Sequence, residues 1–144
     1  MATQQFTTFY LDGHLFGIEV YKVQEVIRYQ EMTHVPLAPP EIRGLINLRG
    51  QIVTAMDLRR RLEMPDRPEG RLPMNVVVRT EDGSVSLLVD EIGDVIEVED
   101  DRFEQPPDTL QGIARSLIRG AYKLEGRLMM VLDTERVVGA AAHR

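Results

Sequence analysis

Leu48–Leu62 reads LRGQIVTAMDLRRRL, and Leu124–Val138 reads LEGRLMMVLDTERVV. Side by side they share Leu48/Leu124, Gly50/Gly126, Asp57/Asp133 and Arg60/Arg136. Apolar residues coincide at Ile52/Leu128, Val53/Met129, Met56/Leu132 and Leu62/Val138. Each copy predicts the same piece of structure: a strand end, a tight turn closed by glycine, a second apolar strand, and an aspartate placed to cap a short helix.

The repeat extends upstream. VYKVQEVI from Val20 and VDEIGDVI from Val89 match at Val20/Val89, Val23/Ile92, Glu25/Asp94, Val26/Val95 and Ile27/Ile96. A strand–turn–strand pattern precedes each, with Asp12-Gly13 and Asp82-Gly83 as turns, and a proline stretch follows each, VPLAPP from Val35 and QPP from Gln105. The order of parts is thus the same twice: hairpin, short helical turn, strand, proline loop, hairpin, capped helix. Runs and alternations rich in Val, Ile, Thr, Phe and Tyr predict strands at 5–11, 15–19, 45–48, 52–57, 74–80, 85–89, 95–99, 120–124 and 127–132. Helical signals are short. Residues 20–27 suggest about two turns, with Val20, Val23 and Ile27 on one side. Residues 58–64 follow the Asp57 cap and stop at Pro65, and 134–138 follow the Asp133 cap.

Five antiparallel strands curl into a small barrel and so remove most free edges. The expectation is an all-β chain, mainly β with short helices, forming a single domain over residues 1–144. Its first barrel spans about 12–72 and its second about 73–138, and the first strand is a candidate to be shared with the second barrel. MPDRPEGRLP from Met64 is the main linker, and 139–144 is a frayed tail. Each half is near the lower size limit for independent stability, so the two should bury apolar surface against one another. Ile46 and Val53 are expected in the core.

The chain carries a net charge of -6 and contains no cysteine. An acidic chain repels the phosphate backbone, and its one basic cluster, Arg59–Arg61, is followed by Glu63 and Asp66, so nucleic acid is not an expected partner. Disulfides, thiolate metal sites and cysteine nucleophiles are excluded. The apolar runs are far shorter than the ~20 residues of a membrane helix, and the N-terminal stretch has no signal-peptide pattern, so neither insertion nor export is expected. His14, His34 and His143 are scattered, no phosphate-cradling glycine motif occurs, and no serine has a nucleophile context. Glu81-Asp82 and Asp100-Asp101 read as solvated turn acids, and Asp57 and Asp133 as helix caps rather than paired catalytic acids. No cofactor, metal or catalytic residue is therefore expected.

The candidate binding residues are Val23, Glu25, Gly44 and Arg49. Arg49 sits at a hairpin tip where its repeat counterpart is Glu125, so the scaffold does not demand an arginine there. A planar donor fork at a turn suits an interface anchor. The structural alternatives are a plain surface arginine or an internal pair with Glu25. Gly44 reads as a backbone device beside a strand, and Val23 as core by periodicity alone.

The runs VQEVIRY from Val23, VPLAPPEIRGLINLRGQIV from Val35 and DLR from Asp57 resemble the CheW-like chemotaxis coupling family. VDEIGDVIEV, the QPP loop and LEGRLMMVLD follow in that family's order, and the likeness covers about Phe6 to Val138. Thr54, Ala55, Met129 and Met130 depart from its usual residues. The resemblance implies two intertwined SH3-like five-stranded barrels and a non-catalytic adaptor. It implies as partners the cytoplasmic tip of a methyl-accepting chemotaxis receptor and the regulatory domain of a CheA-type histidine kinase. It also implies a cytoplasmic protein recruited to receptor arrays at the inner membrane, with the Val23–Glu25 region in receptor docking. The competing readings are an SH3-like peptide-binding module and a small β-barrel enzyme. The first needs an aromatic groove, which a chain with no Trp and four each of Phe and Tyr supplies poorly.

Overall fold

The repeated hairpins form where the glycine turns place them. A computed structural model describes residues 2–81, 83–107 and 112–142, with side chains up to 139; Asp82 of the expected Asp82-Gly83 turn, His143 and the last tail residue lie outside the described residues. The strands are β1 (Thr3–Leu11), β2 (His14–Glu19), β3 (Val23–Ile27), β4 (Ile42–Leu48), β5 (Gln51–Asp57), β6 (Met74–Thr80), β7 (Gly83–Val89), β8 (Glu91–Glu99), β9 (Phe103–Glu104), β10 (Ile118–Leu124) and β11 (Arg127–Leu132). Among the described residues three short α-helices accompany them: α1 (Leu58–Arg61), α2 (Gly112–Leu117) and α3 (Thr134–Ala142).

The strands make two sheets, ordered β3-β6-β7-β5-β4 and β8-β1-β2-β11-β10-β9. Setting aside the two-residue β9, the orders superpose through the repeat: β3 on β8, β6 and β7 on β1 and β2, β5 and β4 on β11 and β10. Each sheet holds one parallel pair at the same place, β5 with β7 and β2 with β11. Each copy's first hairpin thus pairs with the other copy's strands, and the result is two intertwined SH3-like barrels. Repeat halves and barrels do not coincide. The halves 12–72 and 73–138 are units of sequence, whereas the inner barrel is the continuous stretch β3–β7 and the outer barrel combines β1 and β2 with β8–β11. The chain crosses between barrels twice, from β2 to β3 and from β7 to β8.

Exchange of hairpins dictates where the core lies. Ile46, Leu48, Val53, Ala55, Val77 and Leu88 fill the inner barrel, and Phe6, Leu15, Val98, Tyr122, Met129 and Val131 the outer one. A larger buried cluster joins them, from Phe9, Phe16 and Ile18 of the outer barrel through Met56, Val76 and Leu87 of the inner one to Val137 and Val138 of α3. Arg61 donates to the carbonyls of Arg136 and Val137 at 2.8 Å each, tying α1 to α3 across the repeat.

Residues 20–27 are not helical. A 3-10 turn covers Val20–Lys22 and the rest is β3. A bulge between Val23 and Glu25 adds one residue to the strand, which breaks the period of two and mimics helical spacing. The first capped helix ends at Arg61 rather than residue 64, with Glu63 at φ +58° turning the chain away. The second continues to Ala142, so residues 139–142 are helix rather than frayed tail. Both caps form: Asp57 Oδ1 accepts from the Arg59 N–H at 3.1 Å, and Asp133 Oδ1 from the Arg136 N–H at 3.2 Å.

Leu37, in the proline loop between β3 and β4, is fully exposed and has φ +65°. A β-carbon in the left-handed region costs about 1–2 kcal/mol, more than the extra chain entropy of glycine. Leu37→Gly is expected to stabilise the fold by up to about 1 kcal/mol. A thermal melt reads this directly, and a lower melting temperature contradicts it.

Candidate functional site at the inner-barrel seam

The β4–β5 turn is built to aim one side chain. Both central residues have positive φ, Arg49 at +53° and Gly50 at +86°, the geometry that matches strand twist in a two-residue hairpin. Asn47 Oδ1 accepts from the Gly50 N–H at 2.8 Å and fixes the turn. In the repeat-equivalent turn Gly126 has positive φ but Glu125 does not. Arg49 is therefore held in a conformation that its counterpart avoids.

That conformation carries Arg49 to β3. Nη1 donates to Glu25 Oε2 at 2.7 Å and Nη2 to Glu25 Oε1 at 2.8 Å, a bidentate fork. β3 and β4 are the two ends of the sheet order, so this pair stands where the inner barrel closes. The hydrogen bond from Arg49 holds the Glu25 carboxyl below its usual pKa, and Glu25 raises that of Arg49. Glu25 is largely covered, at 17 % side-chain exposure, whereas Arg49 remains 74 % exposed. At the corresponding seam of the outer barrel stand Asp94 and Glu125, two acids that cannot pair in this way.

The four candidate residues separate into two groups. Glu25 and Arg49 come together. Val23 is half-buried and packs against the shared core, at the start of the bulge that sets the phase of Glu25. Gly44 is buried on β4, five residues before Arg49, and its role there is steric. A β-carbon would lie 2.5 Å from the Thr33 carbonyl oxygen, because Thr33 and Leu45 exchange backbone hydrogen bonds at 2.8 Å across that point. Gly120 repeats the device, with the Phe103 ring and the Glu104 carbonyl oxygen against the place a β-carbon would take. Gly44→Ala is expected to cost about 1–3 kcal/mol in urea unfolding, the range for overpacking against backbone; a neutral result would mean that the proline loop can lift off β4.

Two apolar residues close to the pair along the chain, which the sequence does not single out, are exposed. Val26, 37 % exposed, follows Glu25, and Ile52, 61 % exposed, lies opposite Asn47 across the hairpin. Their repeat partners Val95 and Leu128 are also exposed. Ile52-Val53 and Val26-Ile27 are consecutive apolar pairs on strands, so one member of each must face outward. The sequence Ile-Arg-Gly also occurs twice, at 42–44 and 118–120. In both copies the arginine sits on a bulge and reaches a buried acid: Arg43 to Asp57 at 3.4 Å, and Arg119 to Glu19.

The CheW-like domain profile matches residues 5–142. The chain belongs to the CheW-like domain family. Among the family's members, the chemotaxis protein CheW of Bacillus subtilis is 31 % identical over 135 residues, spanning 94 % of this chain and 86 % of that protein. The chemotaxis protein CheW of Treponema pallidum is 28 % identical over 137 residues, spanning 92 % and 81 %. A crystal structure of the scaffolding protein TtCheW from Thermoanaerobacter tengcongensis superposes with a TM-score of 0.82 at 26 % identity, covering 92 % of this chain and 90 % of that one. The two-barrel fold and the order of the repeat are thus those of the family. Among the described residues, no helix is long and apolar enough to cross a membrane.

Proposed function

We propose that this chain is a non-catalytic chemotaxis scaffold that holds the cytoplasmic tip of a chemoreceptor and the regulatory domain of a CheA-type histidine kinase in one complex. The observation that carries the reading is the Arg49–Glu25 fork. It is an exposed donor group locked by a largely covered carboxylate at a positive-φ turn, with exposed apolar residues close by along the chain, Val26 after Glu25 on β3 and Ile52 on β5. An exposed arginine kept at a positive-φ position that its repeat counterpart Glu125 does not share points to a surface that is read from outside. An arginine with apolar neighbours is the composition of an interface centre. The Glu25, Arg49, Val26 and Ile52 surface is the docking face, with Gly44 and Val23 shaping the backbone beneath it.

Two observations weigh against the other readings. Phe6, Phe9, Phe16 and Tyr122 are buried and Tyr10, Tyr29 and Phe103 are partly covered, which leaves Tyr21 as the one exposed ring among the described residues, too few for a proline-peptide groove. Most of the buried charged groups pair with one another: Asp57, Arg59, Arg67 and Asp90 form one network, and Glu19 takes Arg119 through Oε2, while Glu19 Oε1 and Thr134 Oγ1 accept no hydrogen bond. In this reading the chain works at receptor arrays on the cytoplasmic side of the inner membrane and is held there by its partners.

Calorimetric titration tests the proposal. The chain is titrated into a receptor cytoplasmic fragment, into a kinase regulatory fragment, and into each in the presence of the other. The expected result is saturable binding to both, neither excluding the other. Competition for a single face, or silence toward either fragment, would overturn it.

A further inference from the structure

A buried carboxylate stands at each of the two points where the chain passes between barrels, but only the second ties the barrels together. At the first, β2 ends in Glu19, a carboxylate only 3 % exposed. Arg119 from the β10 bulge donates to its Oε2, and Lys22 Nζ lies 3.8 Å from Oε1, which accepts no hydrogen bond. At the second, β7 passes into β8 through Asp90, whose side chain is 3 % exposed. Oδ1 accepts from Arg59 Nε at 2.9 Å and Arg67 Nε at 2.8 Å, and Oδ2 from Arg59 Nη2 and from the Asp12 N–H at 2.8 Å.

Asp90 joins parts that belong to different barrels. Arg59 comes from α1, at the end of the inner barrel, and is itself held by the Pro65 and Asp66 carbonyls at 3.0 and 3.3 Å. Arg67 comes from the linker that leads into β6. Asp12 is the β1–β2 turn of the outer barrel, and the Asp90 N–H donates to the Tyr10 carbonyl of the same hairpin at 3.1 Å. A buried apolar cluster sets how close two bodies pack but is non-directional; charge-assisted hydrogen bonds with fixed geometry set an angle.

We propose that the Asp90 clamp fixes the angle between the two barrels, and that coupling depends on this angle. Asp90, Arg59 and Arg67 are positioning residues in this account, not contact residues. The second half of the proposal rests on the scaffold reading; the first half does not.

The chain has no cysteine, so Gln51→Cys and Glu125→Cys introduce the only two thiols for spin labels, one on each barrel, both at exposed positions. Pulsed electron resonance on the full chain should give one narrow distance distribution. Asp90→Asn and the milder Arg67→Gln, which leaves Arg59 on Asp90, should widen it at least about twofold. Unlabelled, the same variants should keep their affinity for each partner alone within about threefold, yet lose about tenfold in receptor-controlled kinase activity when both partners are saturating. A purely structural role would lower binary binding and kinase control together. If Asp90→Asn does not fold, Arg67→Gln decides. An unchanged distance distribution in a folded variant overturns the clamp. A widened distribution with full kinase control overturns its link to coupling. A parent chain that supports no kinase control refutes the scaffold reading instead, and leaves the distance measurement to judge the clamp.

Discussion

Arg49→Glu is expected to leave the melting curve nearly unchanged and to reduce receptor-controlled kinase activity by about tenfold or more in a reconstituted mixture of receptor, scaffold and kinase. Little of the fold depends on the position. Arg49 is 74 % exposed, the turn is fixed by Asn47 and Gly50, and glutamate is strained by the positive φ no more than arginine. Reversal removes the fork and sets a second carboxylate against Glu25, so that surface changes sign. Because Glu25 and Arg49 do pair, the swapped variant Glu25→Arg, Arg49→Glu separates two roles. If the pair serves only to hold the β3 and β4 ends together, the swap restores most of the activity. If the guanidinium fork itself reads the partner, activity stays low while the melt is restored. Full activity in the single variant would remove Arg49 from the docking face.

Arg59→Ala is expected to have the largest effect on stability, about 3–5 kcal/mol, the range for removing one partner of a buried pair. The loss would appear in urea unfolding as a lower midpoint with an unchanged slope. Arg59 and Asp90 are 4 % and 3 % exposed, and Arg67, which remains, compensates only in part. The acid limb supplies an independent check. Burial alone would raise the Asp90 pKa, but the bonds from Arg59, the Asp12 N–H and Arg67 outweigh it and hold the carboxyl at about 2. Its folded pKa is therefore below the unfolded value of ~3.9. The stability it contributes is fully present above that value and is lost as pH falls toward about 2. In Arg59→Ala the folded pKa rises toward the unfolded one, so less stability is lost across this window. A variant with parental stability and an unchanged acid limb would contradict the assignment of Asp90 as the buried anchor.

The parts of the fold set by local chemistry were legible in the sequence. Glycine after Asp12, Arg49 and Glu125 marked three hairpins, and aspartate ahead of an apolar run marked both caps. Ile46 and Val53, each 1 % exposed, lie in the core as their strands require. What was not legible depends on contacts distant in sequence. Nothing near Arg59 announces that its partner is 31 residues away, and the acids close by in sequence, Glu63 and Asp66, are the ones a local reading selects. Hairpin exchange was equally hidden, because a repeat states what the units are and not which unit's strands pair. The β3 bulge disguised a strand as a helical turn. In the candidate site, the Arg49 and Glu25 types suggested a pair, but only the positive φ of Arg49 and the meeting of the barrel ends explain why it forms. Val26 and Ile52 stand in the sequence only as matched apolar repeat positions; that each is the outward member of an adjacent apolar pair on its strand is set by register.

The central claim is that one chain holds receptor and kinase together, and reconstituted kinase activity tests it most directly. Kinase and membrane-borne receptor are mixed with and without the chain, and phosphate incorporation is followed with and without the receptor's ligand. The account predicts that kinase activity rises and becomes ligand-sensitive only when the chain is present, and that Arg49→Glu removes this effect. Ligand-sensitive kinase activity that is the same without the chain, or a chain that engages either partner but never the two together, would contradict it.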